Sequence, residues 1–97
     1  MRTMIRVKVP VESGNHGIKN GTLQKVVGEA MERLRPEAAY FYPEQGVRCA
    51  LMIVNMEDAS QIPTIAEPFF MALNASVELI PVMNAEDLKK GLSQIPQ

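Results

Sequence analysis

Ninety-seven residues with a mass of 10.8 kDa leave room for one domain, spanning residues 1–97. Ten Lys and Arg against eleven Asp and Glu give a formal charge of −1, which lacks the basic surplus of a nucleic-acid binder. At 46% hydrophobic and 22% charged residues the composition is globular, neither disordered nor fibrous. A single cysteine, Cys49, permits no internal disulfide and no zinc-binding cysteine pair. The N-terminus interleaves Arg2, Arg6 and Lys8 with apolar residues, unlike a signal peptide. The longest apolar run, 49–54, is far shorter than the roughly 18 residues of a membrane span. We expect a cytoplasmic protein with neither nucleic acid nor membrane as a partner.

Residues 3–9 place Ile5, Val7 and Val9 on one side and Met4, Arg6 and Lys8 on the other, the alternation of a strand covered on one face. Pro10 ends it. Residues 13–21 are dense in turn formers and predict a loop. From Thr22, the residues Leu23, Val26, Val27, Ala30, Met31 and Leu34 recur at helical spacing until Pro36 stops the helix. Residues 38–42 are rich in strand formers, 43–46 read as a turn, and 47–54 complete a hairpin. Ser60 is placed to cap a second helix with Pro63 in its first turn, and Pro68 predicts a kink or break near Glu67. A fourth strand over 75–82 and a short helix capped by Asn84, carrying Leu88 and Leu92, close the chain.

This order is α+β: a ferredoxin-like βαββαβ sandwich with a short C-terminal helix, its antiparallel sheet covered on one face. If Val47, Cys49, Leu51 and Ile53 join Ile5, Val7 and Val9 under the helices, alternation leaves Met4, Arg6, Lys8, Tyr40, Tyr42, Arg48, Ala50, Met52, Val54, Glu78, Ile80 and Val82 on the open face. An apolar patch of that extent marks an interface or ligand site, and a two-fold dimer buries it with one surface.

The element order and the segment Val77-Glu-Leu-Ile-Pro-Val-Met83, followed by Asn84-Ala-Glu-Asp-Leu88, resemble small dimeric α+β-barrel proteins, including an uncharacterised family of similar length. More distantly the plan is similar to muconolactone isomerases and small monooxygenases. The resemblance implies a homodimer in which two sheets form a barrel, with a small-molecule cavity between the open sheet face and the helices or loops. No active-site motif of those families matches, so no catalytic residue is carried over.

The residues themselves offer candidates. Arg6, Lys8 and Arg48 are expected to converge on the open face and to hold a small anionic organic ligand, or alternatively to pair with Glu78 and a partner's acids. Glu78 is the one acid expected there and is a candidate general base, with an ion pair to Arg6 as its structural role. Tyr40 and Tyr42 can donate to a ligand oxygen or act as acids, or simply pack at a dimer seam. His16, the sole histidine, lies in the predicted loop, where it serves either as a proton-transfer group in a lid or as a solvated side chain. The spacing of Gly14, Gly17 and Gly21 matches neither the dinucleotide nor the P-loop pattern. One His, one Cys and dispersed acids make no metal site, so no cofactor or metal is expected. Strands one and three lack the aromatics of an RNA-recognition sheet. The expected function is binding, with isomerase- or monooxygenase-like turnover of a small anion as an extension. The alternative is a non-catalytic dimerisation or regulatory module.

Overall fold

The computed structural model describes residues 1–96. Its elements run β1 (Arg2–Val9), α1 (Val11–Asn20), α2 (Thr22–Leu34), β2 (Ala38–Glu44), β3 (Val47–Asn55), a 3-10 turn (Ala59–Gln61), α3 (Ile62–Leu73), β4 (Ser76–Pro81) and α4 (Ala85–Ser93). The four strands form one antiparallel sheet in the order β2-β3-β1-β4, with β1 and β3 central. β1 alternates as its sequence dictates: Thr3, Ile5, Val7 and Val9 are buried, while Arg2, Met4, Arg6 and Lys8 face the other way. The core lies between that first face and the helices. Ile5, Val7, Met52 and Val54 meet Ala30 of α2 and Ile65, Phe69 and Leu73 of α3.

Several expectations are corrected. Residues 13–21 are helical up to Asn20, not a loop. Gly14 and Gly17 are buried because a Cβ there would run into neighbours, Arg48 at Gly14 and Leu23 and Leu73 at Gly17. The turn formers therefore serve close packing, and only Gly21, at φ 83°, breaks the chain between α1 and α2. β3 is turned over: Met52 and Val54 face the core, while Val47, Cys49, Leu51 and Ile53 share the open face with Arg6 and Lys8, their cross-strand neighbours being Arg6↔Leu51 and Lys8↔Cys49. The turn is also tighter than expected. β2 runs on through Pro43 to Glu44, and only Gln45 and Gly46, at φ 52° and 81°, make the connection, as in a type I′ hairpin.

α3 continues through Pro68 without a break, so the proline removes one ladder bond, toward Thr64, and leaves the helix intact. Asp58, not Ser60, begins the turn before it: its side chain accepts from the Ser60 N–H, and Gln61 reaches back in a capping box. Asn84 caps α4 as expected, reciprocally with Asp87. Among the described residues no helix is long and apolar enough to cross a membrane.

Candidate functional site

The open face divides along the strands. Its apolar part is Met4 with Ile53 and Ile80, extended over β3 and β2 by Leu51 and Tyr40, which share a row with Arg6 and Glu78; its polar part runs from Arg6 and Glu78 to Lys8, Tyr42 and Glu44. The hub of the polar half is Glu44. Its Oε1 accepts from the Tyr42 hydroxyl at 2.8 Å, and its Oε2 lies 3.6 Å from Lys8 Nζ and 3.9 Å from Arg6 Nε. Arg6 Nη1 is 3.7 Å from Glu78 Oε1 across the strand pair, and Lys8 Nζ donates to Gln45 Oε1 at 2.7 Å. Arg6 Nε is shielded from solvent and has no hydrogen-bond partner among the described residues. Arg6, Lys8, Tyr42 and Glu78 thus come together, without Arg48, around a carboxylate of the same chain. Glu78 is not the only acid here. Glu44 was missed because 43–46 was read as a turn; once β2 extends past Pro43, the spacing Tyr40, Tyr42, Glu44 places all three on one face.

The hydrogen bond from Tyr42 to Glu44 shifts both groups. It is the first cause holding the Glu44 carboxyl below its ordinary 4.5, with Arg6 and Lys8 assisting against partial burial. The same bond, followed by one to Cys49, pushes the Tyr42 phenol from 10.0 up to about 12. Tyr42 is therefore a fixed donor rather than a proton source at neutral pH. A raised phenol contributes stability that is complete below pH 10.0 and is lost as pH rises through about 12. A depressed carboxyl contributes stability present above 4.5 and lost as pH falls through its folded value. Tyr42→Phe should accordingly flatten the stability profile in both windows. Urea titrations at stepped pH check this, and a variant profile parallel to the wild type between pH 10 and 12 would exclude the shift.

Arg48 does not join this cluster. The register pairs it with Val9 and Pro43 on the helix-covered side, a correction that follows from the inversion of β3. There its guanidinium runs over Gly14 of α1, with Nη2 donating to Asn15 Oδ1 at 3.0 Å and Nη1 to the Val11 carbonyl at 3.4 Å. It stands at a half-open cavity of about 290 Å³, at the small end of ligand-site volumes. The walls are Val7, Val9, Leu23, Val27, Phe41, Ala50, Phe69 and Leu73, with strand residues Tyr42, Pro43 and Cys49 completing them. Arg48 is the one charged side chain in that lining. Two of its five N–H donors are engaged by α1, so an arriving carboxylate finds a fixed cation with donors to spare.

The remaining candidates are dispersed. Tyr40 lies on the edge strand and is 63% exposed. His16 is exposed on α1, where with Glu12, Ser13 and Asn74 it borders a surface depression of the helix layer, away from the open sheet face. Cys49 is buried on the open-face side beside Tyr42. Among the described residues no three His, Cys, Asp or Glu side chains gather as metal ligands would. Gly14 and Asn15, which seat Arg48, carried no signal apart from their turn-forming character. No protein-family model matches the chain, and no curated protein is significantly similar to it in sequence.

Proposed function

We propose that this protein binds a small organic anion with an apolar body, such as a branched aliphatic or aromatic carboxylate, in the cavity between its helices and sheet. The observation carrying this reading is Arg48, seated by Asn15 and the Val11 carbonyl at the rim of an otherwise apolar pocket. A cation at the mouth and hydrocarbon within match a carboxylate with a hydrophobic tail. The lining favours binding over turnover, since Arg48 is its one charged side chain and the Tyr42 hydroxyl is engaged by Glu44 on the opposite, open face.

The strand order β2-β3-β1-β4 with helices on one face supports a ferredoxin-like sandwich. The apolar half of the open face supports a homodimer in which two sheets turn those faces toward each other as an α+β barrel. The ionic cluster around Glu44 is internally paired, which favours a role in that interface over capture of a second ligand.

The test is thermal shift with a panel of small carboxylates and their neutral amides. A ligand at 100 times its Kd stabilises the native state by about 2.7 kcal/mol. Carboxylates should raise the melting temperature and amides should not. Arg48→Met, of similar length, should melt like the unliganded wild type and lose the response. A panel without effect, or an Arg48→Met variant that responds as the wild type does, would overturn the assignment.

A further inference from the structure

Among the described residues α4 is a helix with no partner element. None of its residues is buried, it makes no substantial contact with any other element, and Leu88 and Leu92 lie one turn apart on one side of it, with Ile95 following two residues past its end. Leu92 and Ile95 are each 57% exposed. Its direction is fixed at its root: the Asn84–Asp87 capping box and the Asp87–Arg2 ion pair, 3.5 Å, anchor the first turn at the end of the sheet. The chain is correspondingly long, 56 × 28 × 18 Å, with a radius of gyration of 15.5 Å against about 13 Å for a compact chain of about 100 residues.

The apolar part of the open face starts one row in from that end, beyond the Arg2–Asn55 pair, with Met4, Ile53 and Ile80, and widens over Leu51 and Tyr40. We infer that α4 is exchanged between two copies, each laying Leu88 and Leu92 across the apolar part of the other's open face. This rests on the dimer proposed above and names what completes it. The dimensions agree. Nine residues of helix extend about 14 Å, and four strands span three spacings, also about 14 Å. Twisted sheets packed face to face diverge toward their corners, which leaves room there for a helix. Area argues for the exchange as well. A four-stranded face of this length offers roughly 500 Å² per copy, so bare faces bury roughly 1,000 Å² in total, below the roughly 1,200 Å² at which stable interfaces begin. Two exchanged helices add roughly 250 Å² each, which brings the contact into the stable range.

Sedimentation of the full chain at micromolar concentration should give a species near 22 kDa, twice 10.8 kDa. The double variant Leu88→Asp/Leu92→Asp should sediment as a monomer with an unchanged far-ultraviolet dichroism spectrum, because α4 supports nothing in its own copy. A double variant that remains dimeric would overturn the exchange and leave the dimer standing; a monomeric wild type would overturn both. Direction is read separately from Ile53→Cys with Leu92→Cys in a Cys49→Ala background. Oxidation should yield a disulfide-linked band at dimer mass on a non-reducing gel, whereas an oxidised band at monomer mass would place α4 on its own sheet and overturn the exchange.

Discussion

Phe69→Ala is expected to lower the unfolding free energy by on the order of 3 to 5 kcal/mol, read as a fall in the urea midpoint at an unchanged slope. Phe69 is 2% exposed, projects from α3 into the cluster around Ile5, Val7 and Leu73, and also forms part of the cavity wall. Truncation removes a large apolar contact and opens a void continuous with the cavity, which β1 cannot fill because both its neighbours hold it in register. Domains of this size carry about 5 to 15 kcal/mol in total, so the loss is a large fraction of the whole. Met71, two residues along the same helix, is 78% exposed, and Met71→Ala should stay within about 0.5 kcal/mol of the wild type. Equal losses at the two positions would contradict the packing of α3 on the sheet.

Gly14→Ala is expected to keep the fold and weaken the proposed carboxylate binding. A Cβ at this position would lie 2.5 Å from Arg48 Nη1 and 3.3 Å from its Cδ, so the guanidinium must leave its seat. The displaced group is the end of a flexible side chain, and alanine favours a helix over glycine by about 1 kcal/mol, so melting should be unchanged or slightly raised. Carboxylate affinity should fall by about tenfold or more, a difference of about 1.4 kcal/mol in calorimetric titration. Gly17→Ala makes the opposite split. Its Cβ would meet the Leu23 Cβ at 3.0 Å and the Leu23 backbone nitrogen at 3.3 Å, and backbone yields poorly, so the cost falls on stability, on the order of 1 to 3 kcal/mol. Full carboxylate affinity in Gly14→Ala would mean that the seat above α1 is not the anion site.

The contrast between β1 and β3 explains how much of this molecule could be read in advance. In β1 charges alternate with aliphatic residues, so only one face can be buried and parity decides. In β3, Cys49, Leu51 and Ile53 are as apolar as Ala50, Met52 and Val54, and a pattern apolar on both parities carries no information about which set faces the core. The hairpin held that information. A two-residue turn at Gln45-Gly46 pairs Glu44 with Val47 and so puts Val47, Cys49 and Leu51 on the side of Tyr40 and Tyr42. A turn at 43–46 would pair Tyr42 with Val47 and carry the same parity, so the reversal came from assigning β3 by its own alternation, apart from the hairpin, and that moved Arg48 to the wrong face. α1 failed differently: Ser13, Gly14, Asn15 and Gly17 have poor helix propensity, and what makes them helical is the approach of Arg48, Leu23 and Leu73, tertiary contacts that local propensity does not encode. The boundaries of α2 and the cap of α4 were legible because Pro36 and Asn84 act locally.

Pro43 also bears on how copies of this chain can meet. β2 forms an outer edge of the sheet, and its segment Ala38-Ala-Tyr-Phe-Tyr42 is uncharged, aromatic and β-prone, the composition that invites strands of other molecules to add on and propagate as cross-β fibrils. The proline offers no N–H to an incoming strand, and Glu37 and Glu44 bracket the segment with like charges that stacked copies would bring into register. Growth along the edge is thereby frustrated, and an aromatic strand can border the sheet without templating open-ended polymerisation.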